Sequence, residues 1–396
     1  MNNTKRIAIY FAYEGRNNNP NGDPASENRP RVYNQSNVYV TDVSSKRDDR
    51  DYLNQLLPEV VFLKQQLKDD GSAMQMDDLI KDALKEAEKL SHNEEVAYRS
   101  GSEKGRELKE VKKLSHNEKA KFFINRFIDI KFFGATLTGK TKETESKKVS
   151  SEQAGVDNNE EENIKPGKTE TIKESICGPI QKTFGLSLNY PEIIPVKITT
   201  VLATRTQSSA TGSMGTKYIC DYYHIHYDII INPYSLQEWD SKLTKEDIQV
   251  FEAVQWFSIK NDITHSKINR EPMIMLEIIF KDPDYYFLPS NYVTAENPKG
   301  KNYEDINVKY DNLINQINSN AGHIEQIRYI CNPVYADVIE KELINKINEN
   351  GTDKEKIDST DKEKINSITI EKIELISRDE IVNHLETYKN YTLKTK

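Results

Sequence analysis

The sequence predicts an α+β chain, an RRM-like (ferredoxin-like) core sheet with helical and disordered insertions. Three observations carry this. Apolar, strand-like runs recur at 7–13, 193–203, 217–231 and 272–280. Helical periodicity separates them, and long polar stretches interrupt both. The order strand, helix, helix, strand, strand, helix, strand is compatible with such a sheet.

Residues 7–13 (Ile-Ala-Ile-Tyr-Phe-Ala-Tyr) read as an edge-to-core strand. A turn-rich loop follows, Asn19-Pro20-Asn21-Gly22-Asp23-Pro24 and then Asn28-Arg29-Pro30-Arg31, in which Pro and Gly set the backbone and Asn and Asp tolerate unusual dihedrals. The next helix begins at Val40-Thr41-Asp42, with Asp42 a plausible N-cap. Lys46, Arg47 and Arg50 near its start oppose the helix dipole. Stability does not ask for cations there, whereas an anionic partner would.

Residues 76–90 set Met76, Leu79, Ile80, Ala83, Leu84, Ala87 and Leu90 on one helical stripe. The hexapeptide Lys-Leu-Ser-His-Asn-Glu stands at 89–94 and again at 113–118, each time with a Ser-x-x-Glu capping box. Both copies read as helix starts, the second opening a helix through Phe122, Phe123, Arg126, Phe127 and Ile130 that ends near Gly134. Residues 139–175 hold seven Lys/Arg, nine Asp/Glu and no aromatic residue, a composition that cannot offset ordering entropy and predicts a mobile loop. In 217–231, Ile219, Tyr223, Ile225, Tyr227, Ile229 and Ile231 share a face. Residues 245–260 form an amphipathic helix behind Thr244, and 345–396 read as helical or loose. The expected division is 1–57 (first strand, loop and helix of the core), 58–120 (helical insertion), 121–138 (core helix), 139–175 (disordered loop), 176–290 (the rest of the core, with a loop at 203–217) and 291–396 (C-terminal extension).

At 396 residues and 36% apolar the chain can bury a sizeable core. Three widely spaced cysteines argue against a disulfide framework and a CxxC metal site. With no apolar leader and no run of about 18 apolar residues, the expectation is a soluble, cytoplasmic protein without a membrane partner. A net charge of −8 opposes nucleic-acid binding. Residues 1–50, however, carry eight Lys/Arg against six Asp/Glu, and screening over about 8 Å allows a local basic groove in an acidic chain. The common nucleotide-binding and hydrolase motifs are missing from the sequence.

These residues resemble a known family, the crRNA-binding backbone subunit of the type I CRISPR interference complex, Cascade (RAMP superfamily), most closely its type I-B branch. The signature there runs strand, NPNGDP-like loop, N-x-PR and VTDV-x-x-KR-x-x-RDYL. Asp129-Ile130-Lys131-Phe132-Phe133-Gly134, Gly178-Pro179-Ile180-Gln181 and Thr264-His265-Ser266-Lys267 resemble later elements of the family, in the same order. Asp48-Asp49, where the family usually has uncharged residues, and His265, in place of an Arg, both weaken the local cationic field.

The resemblance implies a hand-like molecule with the core as palm, the insertions as fingers, and 203–217 as a thumb across the guide. It implies crRNA, target DNA, further copies of the chain, other Cascade subunits and a recruited helicase-nuclease as partners. No cofactor, metal or catalytic residue is expected. The candidate RNA contacts are Asn21, Arg29, Arg31, Lys46, Arg47, Arg50, Gln181, Arg205, Met214, Lys217 and Lys267. Lys and Arg suit phosphate oxygens of any sequence. Met214, the only bulky apolar residue of its loop, is the candidate wedge between bases. Asp23 occupies a loop where related type III subunits carry a catalytic Asp, but its position between Gly22 and Pro24 reads as a turn carboxylate. His224 and His226 have a spacing that metals use, with Asp228 on the same face, and read instead as a partly buried strand pair. Two other classes are left open: a backbone subunit of the type III kind with metal-dependent RNA cleavage, and a stand-alone RRM-like RNA-binding protein.

Overall fold

The computed structural model describes residues 5–99, 114–142, 169–199, 214–264, 266–347 and 368–391. The first part of the chain forms β1 (Ile7–Asn18), β2 (Gly22–Asp23), β3 (Arg29–Pro30), β4 (Val32–Tyr33), β5 (Asn37–Val40) and helix α1 (Asp42–Leu56). Helices α2 (Met76–Arg99), α3 (His116–Arg126) and α4 (Ile128–Phe133) follow, then strands β6 (Gly134–Lys142) and β7 (Thr169–Cys177). Next come β8 (Ile180–Lys182), β9 (Gly185–Ser187), β10 (Ile193–Thr199), β11 (Met214–Ile231), α5 (Lys245–Asn261) and β12 (Arg270–Phe280). The C-terminal part adds β13 (Thr294–Ala295), α6 (Tyr303–Ile306), β14 (Val308–Lys309), α7 (Asp311–Ser319), β15 (Ile324–Cys331), α8 (Ala336–Ile339), β16 (Thr369–Lys372) and α9 (Arg378–Lys389).

The result is a mixed α/β fold around one large sheet in the order β16-β15-β12-β1-β11-β9-β5-β4, with β8 and β10 also paired to β11. β1 is apolar on both faces, which selects a central position. Ile7, Ile9, Phe11 and Tyr13 enter a core shared with α1, α5 and α9, and Ala8, Tyr10 and Ala12 enter a second core on the opposite face. The expected edge-to-core strand is therefore central, flanked by β11 and β12. Tyr223, Ile225, Tyr227, Ile229 and Ile231 of β11 share the first core as their periodicity predicts, while Ile219 sits further along, paired with β10. α5 starts at Thr244 through a capping box with Asp247.

Several expectations are corrected. α2 runs unbroken through 91–94, so the first hexapeptide copy lies inside a helix, and the second alone starts one, at Ser115, by its capping box with Glu118. Extending a helix already nucleated is cheap, so the same residues need not stop it. The single helix expected up to Gly134 breaks at Phe127, whose φ of −123° and ψ of 112° are extended. The break turns Phe122 and Phe123 into a third core against Phe62 and Ile80, and Phe132 and Phe133 into the first. The loop expected at 139–175 is strand at both ends, because β6 and β7 pair from Gly134↔Cys177 to Lys142↔Thr169. In the tail, β16 joins the main sheet parallel to β15, and Ile381, Leu385 and Tyr388 of α9 enter the first core.

β10 and β11 pair from Ile193↔Cys220 to Thr199↔Met214. β1 meets β11 only as far as Asn18↔Cys220, so this ribbon extends past the pairing with β1 as an arm.

Candidate nucleic-acid interface

The loop after β1 is built by its own polar residues. The Asn19 N–H donates to the Ser266 carbonyl at 2.9 Å and its side-chain amide to the Asn28 carbonyl at 2.7 Å. A Cβ at Gly22 would lie 2.1 Å from Asn28 Oδ1, so a larger residue there would displace the Asn28 side chain. Asn21 Oδ1 accepts from the Thr41 N–H at 3.1 Å, and the Asn21 carbonyl accepts from the Arg31 N–H at 3.0 Å. Asn21 thus splints the loop to the start of α1. The N-cap of α1 is Thr41, whose Oγ1 accepts from the Ser44 N–H at 3.2 Å; Asp42, expected to cap, is the first helical residue instead.

Five candidate residues follow one another across this surface. The Arg29 guanidinium lies 4.2 Å from the ring centre of Tyr218, at the root of the arm, and donates to its hydroxyl at 2.8 Å. Arg29 pairs across the β2–β3 ladder with Asp23, and Asp23 faces Arg31 at 3.4 Å. Arg31 leads through Asn21 to α1. There the Lys46 ammonium, with 11% of its side chain exposed, sits 3.3 Å from Asp42 and 2.9 Å from Gln181 Oε1. Gln181 in turn donates to the Gly178 carbonyl at 2.8 Å. Lys217 precedes Tyr218 in β11, so strand alternation turns its side chain to the other face of the arm. It is half-buried, and burial lowers its ammonium below the usual lysine range.

The remaining candidates are placed differently. Arg47 is 70% exposed and 3.3 Å from Asp51. Arg50 is only 13% exposed, 3.3 Å from the buried Asp129 and stacked over Phe133. Asp129 also accepts from the Phe62 and Leu63 N–H groups at 2.9 and 3.0 Å. Stability does ask for Arg50, contrary to expectation, because it neutralises a carboxylate that ties α4 to the chain at 62–63. Lys267 pairs with Asp48 and with Asp262. Met214 opens β11, its backbone opposite Thr199. Arg205, with most of the expected thumb, and His265 lie outside the described residues.

Asp48 and Asp49 do not weaken a surface field. They are 3% and 0% exposed and point into the molecule. Asp48 accepts from Arg270 Nη1 at 2.9 Å and from Lys267, and Arg270 also holds Asp262 at 3.0 Å. Burial alone would raise the Asp48 carboxyl, but Arg270 and then Lys267 outweigh it and hold it at about 2. Asp49 faces Lys182 Nζ at 2.5 Å and Ser258 Oγ at 3.0 Å. Burial pushes Asp49 up and Lys182 down, each partly offset by the other. The basic turn of Lys267 and Arg270 therefore counters buried carboxylates.

Asp23 accepts from the Ala25 N–H at 3.2 Å and caps a short 3-10 turn, as expected of a turn carboxylate. His224 is fully buried and His226 half-buried, and the Asp228 carboxylate accepts from Ser290 instead. Among the described residues no cluster of three or more His, Cys, Asp or Glu could hold a metal. Nor is any described helix long and apolar enough to cross a membrane. Sequence reading missed Tyr218, whose only signal is its place beside Lys217 in an aromatic-rich strand.

A family model described as CRISPR-associated protein Cas7 matches residues 5–311. The chain belongs to that family. The CRISPR-associated protein Cas7 of Haloferax volcanii is 22% identical over 295 residues, which cover 72% of this chain and 74% of that protein. Two solved structures are similar at 9% identity. A chain of a CRISPR RNA-guided surveillance complex, pre-nicking, has a TM-score of 0.46, with 97% of this chain and 100% of that one covered. A chain of a CRISPR RNA-guided surveillance complex has a TM-score of 0.42, with 96% and 98% covered. The model match spans every segment that carried the resemblance seen in the sequence, the loop after β1 included.

Proposed function

We propose that this Cas7-family chain is a non-catalytic, crRNA-binding backbone subunit of a type I CRISPR Cascade complex, of the type I-B branch. Several copies stack along the guide spacer, and base pairing between guide and target DNA supplies the sequence readout. The observation that carries this reading is the continuous run of Arg29, Arg31, Asn21, Lys46 and Gln181 along one loop-and-helix surface in a chain of that family. Backbone contacts of this kind position a strand without reading it. In this reading the palm is RRM-like, supported by the adjacency β12-β1-β11-β9 with α1 and α5 as its helices. The β10–β11 arm is the base of the thumb, carrying Arg205, Met214 and Lys217 to the guide. Arg47 reaches a phosphate directly, while Arg50 and Lys267 act from behind it. Asp23, held by its cap and by Arg31, supports a structural role over metal-dependent RNA cleavage. Other Cascade subunits complete the particle, a recruited helicase-nuclease cuts the DNA, no cofactor takes part, and the setting is the cytoplasm.

Two results are expected. Lys46→Ala and Arg47→Ala should each weaken RNA binding alike for all sequences and flatten the dependence of log K on log salt by about 0.7 per lost phosphate contact. Binding titrations between low and moderate salt measure this, and an unchanged slope in both variants would remove α1 from the interface. Shortening the arm to a tight turn should leave short-RNA binding intact while bound mass stops rising with guide length. Undiminished stacking by that variant would favour a stand-alone RNA-binding protein.

A further inference from the structure

The main sheet is not covered evenly. On the face away from α1 and α5, the second core packs Tyr310, Leu313, Ile317 and Leu343 over β1 and β12. At the β5–β9 end that cover runs out. Tyr39 pairs with Leu186 and Leu186 with His226, which places Tyr39 and Leu186 on this same face, and both are only half-buried. Phe184 is 57% exposed and lies parallel to Tyr39, with ring centres 6.0 Å apart and an angle of 14°. Apolar surface of this size in water is unfavourable by about 25 cal/mol per Å².

Phe184 is held outward by its neighbours. The Thr183 N–H donates to the Asp228 carbonyl at 2.9 Å, and Thr183 Oγ1 accepts from the Asp228 N–H at 3.0 Å. On the other side, a Cβ at Gly185 would lie 2.8 Å from Ile225 Cγ2, so the backbone is pressed onto β11. The ring pair also adjoins the candidate interface. The Tyr39 N–H donates to the Arg31 carbonyl at 3.0 Å, and Phe184 is three residues from Gln181. Exposed aromatic faces beside backbone-binding cations are the combination that holds single strands.

We propose that Tyr39 and Phe184 form a stacking platform for an unpaired base of the strand whose phosphates Arg31 and Lys46 hold. The proposal rests on the nucleic-acid reading above and adds a base contact outside the arm. It separates two kinds of variant: loss of the platform changes affinity without changing the salt slope, because no phosphate contact is lost.

The test uses the full chain at a dilution that keeps it monomeric and a short single-stranded RNA carrying one 2-aminopurine. Phe184→Ala should weaken binding roughly 5- to 150-fold, the range of one lost stacking contact. It should also abolish the quenching of 2-aminopurine and leave the salt slope as it was. Phe184→Trp should restore both affinity and quenching. Irradiating the native chain with iodouridine-substituted RNA should cross-link Tyr39 or Phe184, a readout independent of any variant's folding. Unchanged affinity and quenching in Phe184→Ala, with cross-links elsewhere, would overturn the platform. If that variant instead failed only to stack along long guides, the rings would meet a neighbouring protein subunit and the proposal would fall. If the native chain bound no RNA under any salt condition, the nucleic-acid reading would fail first.

Discussion

Asp48→Ala is expected to destabilise the chain by about 3–5 kcal/mol, the cost of stranding a buried charge whose partner is removed. Arg270 is 2% exposed and its guanidinium is shared between Asp48 and Asp262. With Asp48 gone, one carboxylate remains for Arg270 and Lys267 together. The pair also joins α1 to the start of β12, beside the loop that receives the Asn19 N–H. Loss of the carboxylate should therefore loosen the surface where Lys46 and Arg31 sit. Asp48→Asn keeps the shape and one acceptor and should cost less. Urea denaturation at neutral pH measures both, and a loss under about 1 kcal/mol for Asp48→Ala would mean that water reaches the pair and screens it.

Asp48 also shows where the sequence was readable and where it was not. The short apolar run at 7–13 locates β1, and the turn chemistry of 19–31 locates the loop, because both are local. Within Lys46-Arg47-Asp48-Asp49-Arg50 the charges look like one surface run. Their partners are Arg270, Lys182 and Asp129, which lie 222, 133 and 79 positions away in sequence. No local rule reports such pairings, so buried acids looked like a weakened surface field and Arg50 looked free of structural duty. The tail failed for a similar reason. A four-residue strand at Thr369–Lys372 has no convincing periodicity, and it is strand because β15 offers it an edge. Of the candidate interface, the loop and α1 were legible because their residues are contiguous. Tyr218 was not, because its relevance comes from a guanidinium 189 positions away.

Acidification from pH 7 to pH 5 should destabilise the native chain more than it does variants lacking His224 or His226. His224 is buried against Tyr303 of the second core, and His226, half-buried, lies against Tyr10 of the same core. Burial lowers His226 to about 4, and burial together with the His226 ring lowers His224 to about 3. In the unfolded chain each titrates near about 6.5. The unfolded state thus binds more protons below that value, so the stability due to the neutral imidazoles is complete above about 6.5 and falls as pH drops toward the folded values. At pH 5 the loss is about 2 kcal/mol for each histidine. Asp228, raised by burial to about 6, works in the opposite sense, because the folded state holds its proton longer. It returns about 1.4 kcal/mol over the same interval. Asp49 and Glu277, also raised chiefly by burial, act in the same direction as Asp228. Asp48, held at about 2, keeps its charge throughout. The carboxylates contribute alike to the native chain and the variants, so the comparison isolates the imidazoles. His224→Phe and His226→Phe should each make the pH 5 loss smaller by about 2 kcal/mol. Urea melts of all three proteins at the two pH values decide it. Equal pH dependence in native and variant chains would mean that the histidines are protonated in the folded state or hydrated within it.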